Sequence, residues 1–180
     1  MNIVVSWILK FMRNYNPATN EVVYDEENSY FILLHIMNGL GYRNVYDMGL
    51  SKTIEHLQMI EEMIETGFPI FYEHLLEEVD VDLAPYFTNV IMTMFVTNLQ
   101  DRYPEIACHI FDVFLVDGES VIFMLLLRFF GLKEDKLLGL WDNELMSYMR
   151  EEMPAECLSE YSMPELLDFE AIIENDDNGA

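Results

Sequence analysis

Apolar positions recur at helical spacing along nearly the whole chain. The series begins with Val4, Trp7, Ile8, Phe11, Met12 and Tyr15, an i, i+3, i+4, i+7, i+8, i+11 pattern that predicts a helix from the first residues. Pro17 stops it, and Asn14 to Asn20 reads as a loop. Asp25 is placed to cap a second helix through Tyr30, Leu33, Leu34 and Met37, ended by Gly39 and Gly41. Ser51 or Thr53 opens a third, with Ile54, Leu57, Ile60, Met63 and Ile64 as its stripe and Glu55, Glu61, Glu62 and Glu65 turned away. Gly67 and Pro69 break it. A short helix over 70–79 follows, then one that Pro85 opens and that runs through Leu99. The next runs from Pro104 to an exposed corner at Asp117-Gly118, and the oiliest, 119–130, stops at Gly131. Two more short helices are expected over 133–140 and 142–153, the second capped by Asp142 and burying Leu145, Met146 and Met149.

No segment alternates at a period of two with β-branched residues, and no repeat of 20–50 residues is present. The expected fold is all-α, an irregular multi-helix domain of at least seven helices with Trp7, Phe31, Phe95, Phe111, Phe114, Phe123 and Leu126 in its core. Pro154 marks a boundary. Residues 154–180 form an acidic carboxy-terminal extension, with one amphipathic candidate over 164–173 and a frayed polar end.

Composition narrows the function classes. Nine Lys and Arg against 33 Asp and Glu give a net charge of −24, which repels phosphate backbones and anionic lipid headgroups and removes the counterion-release drive for nucleic-acid binding. A basic protein or a cation remains a suitable partner, and much of the charge solvates the surface of a chain that is 52% apolar. Cys108 and Cys157 are too few for a disulfide framework, and Cys108 is expected as a buried free thiol, which suits a reducing compartment. The run 121–127 ends at Arg128, well short of the roughly 20 residues of a membrane span, so the expected location is cytoplasmic.

Candidate chemistry is sparse. His35, His56, His74 and His109 lie in helical segments, and the pairs Glu55-His56 and Glu73-His74 place neighbours about 100° apart, which cannot clamp one metal ion. They read as surface or half-buried histidines. Neither G-x-G-x-x-G nor G-x-x-x-x-G-K-[ST] occurs, and no G-x-S-x-G elbow is present. No catalytic, cofactor-binding or metal residue is therefore assigned, and no cofactor is expected.

The segment from Met94 to Pro104, Met94-Phe95-Val96-Thr97-Asn98-Leu99-Gln100-Asp101-Arg102-Tyr103-Pro104, resembles the block W-F-L-T-x-F-x-x-x-F-P of the TBC family of Rab GTPase-activating domains. Residues Ile110 to Glu119 resemble its I-W-D-x-F-L-x-E-G block, with Phe111 at the Trp position and Asp112 and Gly118 matched. Upstream, Asp25 to Phe31 is similar to D-E-E-x-A-F-W, and Gly41 to Tyr46 to G-L-R-x-x-Y. Met1-Asn2 looks like the end of the Q-G-M-N block. The family-motif positions carried over are Asn2, Phe95, Thr97, Pro104, Phe111, Asp112 and Gly118.

The resemblance implies a partial TBC domain over residues 1–153. It also implies a Rab-type small GTPase as partner, bringing its own GTP and magnesium, and a role in vesicle trafficking on endomembranes reached through protein partners. The family accelerates GTP hydrolysis with an arginine from an I-x-x-D-x-x-R block and a glutamine from a Y-x-Q-G-M-N block. Neither block is complete here, and none of Arg13, Arg43, Arg102, Arg128 and Arg150 stands in the motif. The reading is thus of a truncated GTPase activator, inactive alone and without an active site of its own; the alternative is a non-catalytic pseudo-activator or protein-interaction module. A missing amino-terminal half would leave an exposed apolar patch to which Val4, Ile8 and Phe11 contribute.

Overall fold

The computed structural model describes residues 2–77 and 82–168. In chain order it contains α1 (Asn2–Phe11), β1 (Arg13–Asn16), β2 (Glu21–Tyr24), α2 (Glu26–Leu34), a π turn (His35–Gly39), a 3-10 turn (Tyr42–Tyr46), α3 (Ser51–Gly67), α4 (Pro69–Glu77), α5 (Ala84–Thr93), α6 (Val96–Leu99) and α7 (Pro104–Asp117). There follow α8 (Ser120–Leu137), α9 (Asp142–Ser147), a second π turn (Tyr148–Glu152), α10 (Met153–Glu160) and α11 (Met163–Leu167). The fold is all-α apart from one small hairpin.

The hairpin is a departure from the expected long first helix. Asn14, Asn16 and Pro17 are poor helix residues, whereas Val22, Val23 and Tyr24 favour extended backbone. The chain therefore leaves α1 at Phe11 and pairs Tyr15 with Val22 and Asn14 with Val23 in antiparallel register. The turn is held locally: Ala18 N–H donates to Asn16 Oδ1 over 3.0 Å, and the Tyr15 hydroxyl donates to Asn20, which adopts φ +56°. Tyr15 is consequently exposed, not buried on a helix face.

The chain divides into two compact units, Met1–Gln58 with Ala84–Glu119, and Met59–Leu83 with Ser120–Ala180. The first is centred on Val4, Ile8, Tyr42, Phe95, Leu99, Phe111 and Phe114, all essentially inaccessible. Val4 and Ile8 are thus buried and Phe11 half-buried, with the Phe11 ring edge-on to Phe111 at 5.5 Å. The expected exposed patch on α1 is absent from these positions. Phe31 was placed in the core by pattern but is 56% exposed. Asp25 and the inward Ser29 fix the rotation of α2, and Phe31, two residues beyond Ser29, is turned about 200° away from that inward face.

The second unit buries Phe71, Leu125, Phe129, Phe130, Leu137, Leu145 and Met149. The expected stop at Gly131 falls two residues early: α8 is two helical stretches that meet at a kink at Lys133, and the second runs on to Leu137. A Cβ on Gly131 would meet the Phe68 ring at 3.5 Å, an ordinary contact. Asp142 does not cap α9 either; the cap position is Trp141, and Asp142 itself adopts φ +44°. Pro154 occupies the first turn of α10, where its missing N–H costs nothing. Lys136 reaches Glu156 at 2.8 Å and Lys133 reaches Glu160 at 2.8 Å, tying α10 to α8, while the Tyr148 hydroxyl donates to Glu156 over 2.9 Å. The candidate helix over 164–173 is α11 as far as Leu167; its remainder from residue 169, and Val79 at the end of the expected fourth helix, lie outside the described residues.

Candidate functional site

The family-motif positions lie in the first unit, and its geometry begins with a broken helix. The stretch opened near Pro85 was expected to continue through Leu99, but α5 ends at Thr93. Met94 and Phe95 then take φ of +51° and +62°, left-handed backbone that costs a non-glycine residue about 1–2 kcal/mol each. Both side chains are fully buried, and the corner turns Phe95 into the core before α6 starts.

Breaking a helix strands the carbonyls of its last turn, which must find donors elsewhere. Two tyrosines from the 3-10 turn supply them. The Tyr42 hydroxyl donates to Ile91 O over 2.6 Å, and the Tyr46 hydroxyl donates to Met92 O. Tyr42 also meets Phe114 edge-on at 5.0 Å. Burial pushes the phenol pKa of Tyr42 well above its ordinary value, and burial does the same for Tyr46, so both stay protonated donors. The Gly41 to Tyr46 segment, the corner at Phe95 and the Ile110 to Glu119 segment are thereby clamped into one body. Gly41 itself enters the turn with φ +72°.

The start of α3 adds a second tie. Thr53, expected as a possible helix cap, instead donates its hydroxyl to Val45 O over 2.9 Å. His56 is buried, with Nε2 3.3 Å from Glu119 Oε2, and Lys52 lies 3.9 Å from the other oxygen of that carboxylate. Burial lowers the His56 pKa more than the Glu119 charge raises it, so the ring is neutral at pH 7. At α2, Asp25 accepts from Asn28 N–H over 3.0 Å and from Asn28 Nδ2 over 2.7 Å, and these bonds hold its carboxyl below the usual carboxylate range.

Each sequence-assigned position can now be located. Phe95 and Phe111 are core rings. Gly118 is buried at the α7–α8 corner with φ +75° beside exposed Asp117, in the turn foreseen for that pair. Pro104 begins α7, and Thr97 donates its hydroxyl to Thr93, which in turn donates to Asn89 O. Asn2, at the first turn of α1, and Asp112, on α7, are exposed. Packing and turn geometry, not bond chemistry, occupy most of these residues.

His56 and His74 depart from the expected surface or half-buried histidines: both are buried, and His74 donates Nε2–H to Leu140 O over 3.1 Å. Cys108 is half-buried, not fully enclosed, and burial raises its thiol pKa, while burial pushes the Cys157 thiol up to about 12. Among the described residues, no three His, Cys, Asp or Glu side chains are grouped to hold a metal ion, and no helix is long and apolar enough to cross a membrane.

The sequence matches the family described as Rab-GTPase-TBC domain over residues 1–138 of 180, a span that contains every block placed above. The chain belongs to that family. It is similar, at 23% identity over 129 residues, to the Ecotropic viral integration site 5 ortholog of Drosophila melanogaster. It is 24% identical over 130 residues to GTPase-activating protein GYP5 of Saccharomyces cerevisiae and 25% identical over 130 residues to TBC1 domain family member 2A of Rattus norvegicus. Each alignment covers 72% of this chain but only 14–16% of the relative's own length.

Sequence reading missed the TBC features that hold the blocks together. The hydroxyl clamps of Tyr42 and Tyr46 are invisible to hydrophobic pattern, although a signal was present: Tyr42 stands where the quoted block has leucine, and a buried phenol needs an acceptor.

Proposed function

We propose that this chain is the carboxy-terminal lobe of a Rab GTPase-activating module, a partial TBC domain over residues 1–153 with an acidic extension over 154–180. Its partner is a Rab-type small GTPase that carries its own GTP and magnesium. The observation that carries the reading is the family match over residues 1–138, together with the clamping of its blocks into one packed body.

In this reading the lobe orients and supports the activating machinery but does not act alone. A GTPase holds its nucleotide already and requires charge stabilisation and an oriented water, for which an arginine finger supplies about 10³ to 10⁵ in rate. Arg13, Arg43, Arg102 and Arg150 are exposed and Arg128 half-buried, and none belongs to an I-x-x-D-x-x-R pattern. The protein is an activator-family member without its own active site, cytoplasmic and recruited to endomembranes by protein partners.

Single-turnover GTP hydrolysis by a panel of Rab proteins tests this. The purified chain should leave each intrinsic rate within about threefold, against the 10³ to 10⁵ that a complete activator provides. Adding a segment that carries both fingers should raise the rate for a cognate Rab. Binding without any rate increase in that reconstituted mixture would identify a pseudo-activator instead, and acceleration by the chain alone would overturn the proposal.

A further inference from the structure

Between α1 and α2, in the first unit, lies a half-open groove of about 150 Å³. Its apolar wall is Val5, Ile8 and Leu9 of α1 with Leu33 of α2. Ser29 also faces it, but the Ser29 hydroxyl already donates to Asp25 O over 2.6 Å, so it offers no donor to a visitor. The exposed members are Tyr30, 58% accessible, and Glu26, which has no cationic partner among the described residues. An apolar cavity of about this volume accepts a benzene ring in an engineered core, so one aromatic or leucine side chain fits.

Charge decides what kind of segment brings that side chain. From Arg13 to Phe31 the only cation is Arg13, against Glu21, Asp25, Glu26 and Glu27. Lys10 is the one cation on α1. Asp25 is engaged in capping, but Glu26 lines the groove, and Glu27 follows it in the first turn of α2. An acidic segment would meet repulsion here and throughout a chain of net charge −24, whereas a basic one gains favourable encounter and register.

We propose that the α1–α2 groove is a docking site for a polypeptide segment in which a bulky apolar residue is flanked by lysine or arginine. The apolar side chain enters between Val5, Ile8, Leu9 and Leu33, and a flanking cation pairs with Glu26.

Methyl NMR on the full chain tests it with two blocked peptides, phenylalanine flanked by lysines and phenylalanine flanked by glutamates, and with phenethylammonium. The lysine peptide should shift the Val5, Ile8, Leu9 and Leu33 methyls in a saturable way, and the glutamate peptide should bind more weakly by up to about fivefold, the upper end for one exposed ion pair. Glu26→Gln should narrow that gap while leaving the methyl shifts, and Val5→Phe should abolish them. Because Val5→Phe could disturb folding, the wild-type shift map and the Glu26→Gln comparison decide the matter by themselves. No methyl shift at millimolar peptide, shifts centred elsewhere, or equal binding of the two peptides would overturn the proposal. Phenethylammonium binding as tightly as the lysine peptide would make the groove a small-cation pocket and would also overturn it.

Discussion

Replacing Tyr42 with phenylalanine removes one oxygen and little else. That oxygen is buried with its residue, which is 1% exposed, and it satisfies Ile91 O at the severed end of α5. Leaving a buried carbonyl without its donor costs about 1–3 kcal/mol, a large part of the 5–15 kcal/mol that holds a domain folded. For a chain of 180 residues each kcal/mol moves Tm by about 2–4 °C, so Tyr42→Phe should lower it by about 2–12 °C. Urea unfolding in a Trp141→Phe background lets buried Trp7 report on the first unit alone. The ring is retained, so its contact with Phe114 survives and the loss belongs to the hydrogen bond. The alkaline limb gives an independent check. Because the folded pKa of Tyr42 is raised, the unfolded phenol ionises first, and stability falls as pH rises above about 10. Tyr42→Phe should flatten that fall. A stability change below about 0.3 kcal/mol, well under the 0.5–1.5 kcal/mol of an ordinary hydrogen bond, would refute the clamp as a structural requirement.

Four further outcomes follow from the same geometry. Phe111→Ala should cost about 3–5 kcal/mol by cavity formation, measured by urea titration, whereas Phe31→Ser should change stability by less than about 0.5 kcal/mol because the ring is exposed. His56, with its folded pKa lowered, contributes stability that is present above about pH 6.5 and is lost as pH falls through the folded value; His56→Gln should remove that part of the acid limb. The facing charges Glu119, Lys52 and Glu55 persist in that variant. In the folded protein a thiol reagent at pH 8 should modify Cys108 first and reach Cys157 at a useful rate only after denaturant is added, since burial holds the Cys157 thiol near 12.

How far the sequence could be read depended on whether a residue's fate was local. Asp25 and Pro104 act within one turn of themselves, and both sit at the helix starts where their chemistry puts them. Phe95, Phe111 and Phe114 were legible as core because large rings in ordered helices have few other places to go. Phe31 misled for the same reason: its hydrophobicity was visible, but the rotation of α2 was set by Asp25 and Ser29. Gly131 was legible as a helix stop, yet the break falls two residues on, at Lys133, a residue type that announces no break. The hairpin was hidden by Tyr15, which happens to extend the helical stripe of α1 by one more turn. The motif positions were legible as a family pattern, yet their roles required the tyrosine bonds that span 46 and 49 residues.

Those long spans bear on the order in which the chain assembles. Nothing between Pro85 and Leu99 tells a newly made polypeptide to bend at Met94, so the segment left to itself has only helix propensity, weak at this length, and no local reason for a left-handed pair. The corner can be set only once the Tyr42 and Tyr46 turn, some 46–49 residues earlier, has arrived against Ile91 and Met92. Loop closure over that distance must come first, which makes α5–α6 a late-consolidating element with low φ-values.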